Sequence, residues 1–595
     1  MLRRLKHQLL TVVSDFLEAP TRFLFFTGKG GVGKTSLACA SALYLAEAGR
    51  RVLLVSTDPA SNVGQVFGQG VGNAITPLAA VPGIDALEID PEQAAAAYRE
   101  RIIGPVRGLL PAKEIASMTE QLSGSCTTEI ASFNEFTGLL ADPSLVAGYD
   151  HVIFDTAPTG HTIRLLRLPG DWTGFLDAGK GDASCLGPLS GLDKQRAIYA
   201  GAVKALADPT VTSLILVARA QTSSLEEIAR TADELIVTGI KPSRVIINGV
   251  LPTDATTDPL ALAISERERA AIDAIPVALA DVPRDIVELK PDNMVGLDAL
   301  RALLGHSTAQ PDDTSPAGVG GQLPLLESMV DQLAASGHGL IMCMGKGGVG
   351  KTTIAAAIAT RLAERGHQVH LTTTDPAGHL ETTLGEGGGL GDLTVSRIDP
   401  GRAVADYREH VMATKGKGLD DAGRAVLAED LMSPCTEEVA VFQQFSRLVN
   451  QARRSFVVMD TAPTGHTLLL MDAAGSYHRE IARNMPSGAQ YTTPMMRLQD
   501  TDYTKILLVT LPETTPVLEA GILADDLERA GIRPWGWVIN QSLAAADTTS
   551  SLLSHRASQE QGPIDTVRQR AQRLAIVPLL QEEPTGTRRL AKVGS

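Results

Sequence analysis

A chain of 595 residues is too long for one hydrophobic core, so at least two domains are expected. Its net charge of −15 argues against a polyanion as the main partner, because nucleic-acid binding needs clustered Lys and Arg to displace counterions. No apolar run is long enough to span a bilayer, and the five cysteines are scattered without a C-x-x-C pair, which fits free thiols in a cytoplasmic chain better than a disulfide framework.

Residues Met1 to Ala19 start basic and carry Leu2, Leu5, Leu9, Val12, Val13, Phe16 and Leu17 at helical spacing. Asp15 and Glu18 interrupt any continuous apolar core, so a short amphipathic helix within 1–20 is expected rather than a signal peptide. The apolar run Phe23–Thr27 then reads as a strand feeding Gly28-Lys29-Gly30-Gly31-Val32-Gly33-Lys34-Thr35, a phosphate loop of the form G-x-x-x-x-G-K-[ST]. Ser36 opens the Ala/Leu-rich helix behind it, which ends near Gly49. Strand Val52–Thr57 runs into Asp58-Pro59-Ala60, helices and loops fill Pro91 to Leu140, and strand His151–Phe154 ends in Asp155-Thr156-Ala157-Pro158-Thr159-Gly160-His161. Leu214–Ala218 and Val245–Ile247 read as further buried parallel strands.

His306 to Gly321 is rich in Pro, Asp, Ser and Gly, which places a flexible linker at 306–322 between a first domain, 1–305, and a second, 323–595. The second half repeats the first. Gly345-Lys346-Gly347-Gly348-Val349-Gly350-Lys351-Thr352-Thr353 follows the apolar run Leu340 to Met344, and Thr374-Asp375-Pro376-Ala377 answers Thr57-Asp58-Pro59-Ala60. Asp460 through Thr467 repeats Asp155 through Thr162 without a change, Cys435-Thr436-Glu437-Glu438 answers Cys126-Thr127-Thr128-Glu129, and Val538-Ile539-Asn540 answers Ile246-Ile247-Asn248. The repeat is far longer than a solenoid unit, so it reads as a duplicated whole domain. The expected fold is α/β: two tandem P-loop NTPase domains, each a mostly parallel, doubly wound sheet with helices on both faces, arranged as a pseudo-twofold dimer in one chain.

In each loop the glycines let backbone N–H groups converge on phosphate oxygens. Lys34 and Lys351 are expected on the β- and γ-phosphates, and the Thr35 and Thr352 hydroxyls on Mg²⁺. Asp155 and Asp460 stand where a Walker-B-type carboxylate belongs. Asp58 and Asp375 also follow strands and are candidates to position the attacking water or contact the metal; the structural alternative for each Asp is a helix N-cap.

The second lysine of each loop, Lys29 and Lys346, gives the K-G-G-x-G-K-[ST] form, which resembles the deviant phosphate loop of the MinD/ParA/ArsA class of ATPases. That resemblance implies that Lys29 serves the nucleotide of the second half and Lys346 that of the first. The doubled D-T-A-P-T-G-H-T stretch, the tandem arrangement and the paired Cys-Thr-x-Glu motifs most resemble the ArsA family, the ATPase subunits of arsenite and antimonite efflux pumps, from about Phe23 to the C-terminus. The resemblance implies ATP and Mg²⁺ as cofactors, As(III) or Sb(III) as activating ligand, and Asn248 and Asn540 as adenine contacts. It matches Cys126, Cys185 and Cys435 to the metalloid thiols, with His161, His466 and Ser433 as auxiliary ligands. Soft thiolates suit these thiophilic ions. The bland alternative, a small buried apolar residue, is the reading for Cys39 and Cys343. The implied partners are an ArsB-like membrane carrier and an ArsD-like metallochaperone, with the chain acting as a monomer at the inner face of the membrane. The rival reading is a targeting ATPase for tail-anchored membrane proteins, from a related family that dimerises through a C-x-x-C zinc site absent here.

Overall fold

A computed structural model describes residues 15–58, 63–108, 111, 114–115, 118–119, 122, 125–156, 192–252, 257–304, 324–375, 380–385, 391–431, 435–461 and 492–594; the side chains of some helical positions, Cys126 and Cys435 among them, lie outside that description. The linker, Cys185, His161, His466, Ser433 and most of the N-terminal segment also lie outside it. The chain divides into two compact units, Met1–Thr257 with Ala261–Gln310, and Asp258–Leu260 with Pro311–Ser595.

The first unit is built on eight strands: β1 Phe23–Thr27, β2 Val52–Ser56, β3 Thr76–Pro77, β4 Ile84–Glu88, β5 His151–Asp155, β6 Thr212–Ala218, β7 Pro242–Val250 and β8 Arg284–Glu288. They lie in the order β3-β4-β2-β5-β1-β6-β7-β8. Every pairing is parallel except that of the two-residue β3 with β4. The second unit has β9 Gly339–Met344, β10 Val369–Thr373, β11 Leu393–Arg397, β12 Phe456–Asp460, β13 Thr504–Thr510, β14 Gly536–Ser542 and β15 Leu574–Pro578, in the order β11-β10-β12-β9-β13-β14-β15. The short outer strands β4 and β11 lack the unbroken apolar run by which the central strands are read, and only the structure reveals them.

Alternate side chains of a strand point to opposite faces, and here both faces are covered. From β1, Phe23 and Phe25 join a core with Leu53, Val55, Phe154 and Leu216, while Leu24 and Phe26 join a second core with Leu54 of β2 and with Leu37 and Leu43 of the helix that covers the opposite face. The second unit divides likewise: Ile341 and Cys343 pack with Ile354 and Ile358, and Leu340, Met342 and Met344 with Phe445 and Leu523. Cys39 and Cys343 are fully buried, and burial pushes both thiols well up.

Strands β1 and β9 occupy the middle of their sheets. The chain leaves β1 toward β2 on one side and later returns beyond it at β6, so the order reverses beside β1. That is the switch point where parallel sheets bind ligands, at the carboxyl ends of the strands. The phosphate loops sit there, each opening a helix, Lys34–Glu47 or Lys351–Glu364.

In the first unit Phe25 and Phe154 stack at 4.4 Å between centroids, and Phe136 meets Phe154 edge-on at 5.4 Å. Phe154→Ala opens a cavity in this fully buried layer, with an expected loss of about 3–5 kcal/mol. Denaturant unfolding followed by fluorescence or circular dichroism measures it, and an exposed variant such as Glu47→Ala is expected to shift the same transition by less than about 0.5 kcal/mol.

Candidate nucleotide sites

Each phosphate loop is seated by contacts that a side chain would break. A Cβ on Gly28 would lie 2.1 Å from the Val217 carbonyl oxygen of β6, and one on Gly345 would lie 2.3 Å from that of Val509 on β13. Gly33 and Gly350 have φ of +91° and +88°, and a Cβ on either would approach the side-chain nitrogen of Asn248 or Asn540 to 2.2 Å. Those asparagines fasten the loops directly. Asn248 Nδ2 donates to the Val32 carbonyl at 2.8 Å, and Asn540 Nδ2 donates to the Val349 carbonyl at 3.0 Å. Sequence comparison of the halves singles out both asparagines; their bond to the loop backbone is the structure's addition.

Lys34 and Lys351 are buried and fold back over their loops. Their Nζ atoms donate to the carbonyls of Lys29 at 3.0 Å and of Lys346 at 2.9 Å. Each ammonium is therefore held on its own loop, where the backbone N–H groups of a helix start also favour an anion.

Beside the loops stands a hydroxyl–carboxylate pair. Thr35 Oγ1 donates to Asp155 Oδ2 at 2.7 Å, and Thr352 Oγ1 donates to Asp460 Oδ2 at 2.7 Å. Ser56 and Thr373, at the ends of β2 and β10, add second hydroxyls to the same oxygens at 3.5 and 3.1 Å. These hydroxyls also accept from the backbone N–H of Asp58 at 3.3 Å and of Asp375 at 3.0 Å, which ties the following strand-end turns to the carboxylates. Both Asp155 and Asp460 are fully buried. The Asp460 Oδ1 atom has no hydrogen-bond partner among the described residues. Burial raises its carboxyl to about 6, with Lys351 pulling the other way. A buried carboxylate oxygen beside a threonine hydroxyl fits a divalent cation of the hard, oxygen-seeking kind.

The second loop lysines engage partners in their own units. Lys29 Nζ lies 3.3 Å from Glu227 Oε2, and Lys346 pairs with Glu519. Both glutamates are buried and lie at the same offset past β6 and β13, on helices Thr222–Val237 and Thr514–Arg529. Sequence reading missed them. The signal was the repeat itself, which aligns an acidic residue in the middle of two otherwise dissimilar helices. Cys126 and Cys435 likewise stand at the starts of equivalent helices, Ser125–Ala141 and Cys435–Gln451. The structure thus brings the phosphate loop, Asp155, Asp58 and Asn248 to one end of the first sheet, and their counterparts to one end of the second.

The model of the anion-transporting ATPase (ArsA) family matches residues 21–306, 338–497 and 479–595. The chain belongs to this family. It is an ATPase, an ATP hydrolase with two P-loop domains. The arsenical pump-driving ATPase of Acidiphilium multivorum is 60% identical over 576 residues, covering 96% of this chain and 98% of that protein. The arsenical pump-driving ATPase of Escherichia coli is 60% identical over 582 residues, 97% of this chain and 100% of the relative. The ATPase GET3 of Eremothecium gossypii is 31% identical over 253 residues, 39% of this chain and 72% of that protein, so the rival targeting reading reaches only part of the chain. Among the described residues no helix is long and apolar enough to cross a membrane.

Gly33→Ala and Gly350→Ala each force a side chain into the asparagine that fastens the loop. Each is expected to weaken ATP binding at its own site by at least about tenfold, since a displaced loop loses several charge-assisted bonds to phosphate. Calorimetric titration should then show one tight site in place of two.

Proposed function

We propose that the chain is the cytoplasmic motor of an arsenical efflux system, an arsenical pump-driving ATPase that is stimulated by As(III) or Sb(III). It hydrolyses ATP at two sites and drives export through a membrane carrier that it does not itself contain. The observation that carries the hydrolase half of this reading is the pair Thr35–Asp155, repeated as Thr352–Asp460, beside an intact phosphate loop in both units. The metalloid half rests on likeness to relatives whose names carry that activity, and on the thiol set Cys126, Cys185 and Cys435.

In each site the loop amides and Lys34 or Lys351 bind the phosphates and stabilise charge as it develops in the transition state. Mg²⁺, when bound, neutralises the phosphate oxygens; Thr35 with Asp155, and Thr352 with Asp460, would hold it. Asp58 and Asp375 stand at the ends of neighbouring strands and orient the attacking water or the metal's own water shell. Asn248 and Asn540 take the adenine. Lys29 and Lys346 leave Glu227 and Glu519 and reach the nucleotide of the opposite half. In this reading their ion pairs are the resting state, and each half completes the other's site.

The metalloid acts as activating ligand on Cys126, Cys185 and Cys435, with His161, His466 and Ser433 as auxiliary ligands. Bound across both halves, it favours the closed arrangement that hydrolysis needs. By linkage, ATP then tightens metalloid binding by the same factor. The chain works as a monomer, peripheral to the inner face of the membrane when docked on an ArsB-like carrier and loaded by an ArsD-like metallochaperone.

Steady-state ATPase rate with and without arsenite tests the reading. Arsenite is expected to stimulate the unmodified chain, and Cys126→Ser should leave a response that is much weaker or shifted to higher arsenite. An unchanged rate in the unmodified chain would reject the metalloid role while leaving the ATPase intact.

A further inference from the structure

Both asparagines sit on a backbone irregularity. The ladder of β7 with β8 shifts register between Asn248 and Val250, where Gly249 has φ +73°. The ladder of β14 with β15 shifts between Ile539 and Ser542, where Gln541 has φ 57°. Such bulges re-aim a side chain at a site, but they also interrupt the ladder that would otherwise fix the strand. Something else must hold the chain there.

In both units a glutamate does so, buried in the second and half-buried in the first. Glu560, between helices Ser551–Gln559 and Gln561–Arg570, accepts from Leu543 N at 2.9 Å through one oxygen. Through the other it accepts from Ser542 Oγ at 2.7 Å and Ala544 N at 3.0 Å. In the first unit Glu268, on helix Pro259–Asp273, accepts from Leu251 N at 2.8 Å. Leu251 stands to Asn248 as Leu543 stands to Asn540, so the same backbone N–H is captured twice, although the surrounding helices differ in length and sequence. The first unit adds Arg219, whose Nη1 donates to the Asn248 carbonyl at 3.4 Å.

Burial raises Glu560 to about 7, and Glu513 at the head of the neighbouring helix, itself paired with Arg556 at 3.5 Å, raises it further. Burial also raises Glu268, against Arg219 and Arg267. With a folded pKa above the unfolded one, each contributes stability below the unfolded value that is lost as pH rises through the folded value. Their hydrogen bonds fix the geometry of the bulged loops.

We propose that Glu268 and Glu560 are positioning residues for recognition of the nucleotide base, holding the bulged loops so that Asn248 and Asn540 present a fixed acceptor to the 6-amino group of adenine. This rests on the reading that the base lies at those asparagines. The amide orientation follows from the structure: Nδ2 must face the Val32 or Val349 carbonyl, because an oxygen there could not donate. Oδ1 then accepts from an amine and repels a 6-oxo group, so the site discriminates ATP from ITP.

The test uses the full chain and three probes with Mg²⁺: ATP, ITP and inorganic tripolyphosphate, which lacks a base. The unmodified chain is expected to bind ATP at least about tenfold more tightly than ITP, as a hydrogen-bond-matched site rejects its mismatch. In Glu268→Ala/Glu560→Gln the ratio should fall to about twofold, because the alanine removes the acceptor for the Leu251 N–H, and the glutamine, at a position where both carboxylate oxygens accept, turns an amide donor toward a donor. Tripolyphosphate affinity should stay within about twofold, since the phosphate loop itself is untouched. Equal weakening of all three probes, or an unchanged ATP/ITP ratio, overturns the proposal. Asn248→Ala/Asn540→Ala separates the premises. If it removes the discrimination while the glutamate variant keeps it, the positioning role alone fails; if it leaves the discrimination intact, the base assignment fails and takes this proposal with it. Should the double glutamate variant not fold, Ser542→Ala decides: a ratio lowered by about threefold supports the role, and an unchanged one overturns it.

Discussion

The buried carboxylate at the end of the strand beside the central one is the constraint on which each half depends. Asp155 and Asp460 sit in the sheet interior, where a lone charge is costly, and each is made tolerable by hydroxyls from two different elements. One hydroxyl belongs to the first turn of the phosphate-loop helix, the other to the next strand. Three segments distant in sequence are thereby tied at one point, and the turns carrying Asp58 and Asp375 are fastened to the same hydroxyls. Loosening that point would release the loop, the helix start and the turns carrying Asp58 and Asp375 together.

The phosphate loop has a second anchorage on its other side, through Asn248 or Asn540, with the loop's early glycines pressed on β6 or β13. The loop is held before any ligand arrives. Little of the binding energy of phosphate then goes into ordering backbone, and the amides stand ready for the charge that develops during transfer. The exception is the early lysine. Its cationic end lies on a glutamate of its own unit.

Much of this was legible in the sequence because the duplication checks itself. The phosphate loops, Asp155, Asp460, Asn248 and Asn540 recur with the same neighbours, and central strands such as Phe23–Thr27 announce themselves as unbroken apolar runs. Strands β4 and β11, near and at the sheet edges, did not, since Ile84–Glu88 and Leu393–Arg397 mix polar and apolar residues and read equally well as loop. Glu227, Glu519, Glu268 and Glu560 were also missed. Acidic residues on amphipathic helices normally face water, and nothing local marks the ones turned inward; their partners are lysines and backbone amides supplied by tertiary contact. Of the thiols proposed to bind metalloid, sequence placed Cys126 and Cys435 at matching positions, and both lie at the starts of equivalent helices.

The account stands or falls on whether each half completes the other's site. The most direct measurement is single-turnover hydrolysis of ATP by the full chain carrying Thr35→Ala, so that hydrolysis reports the second site, with and without Lys29→Ala. The account predicts that removing Lys29, a residue of the first half, slows hydrolysis at the second by at least about tenfold, the scale of one charge-stabilising contact in the transition state. A second site that turns over at the same rate without Lys29 would contradict it and confine each lysine to its own half.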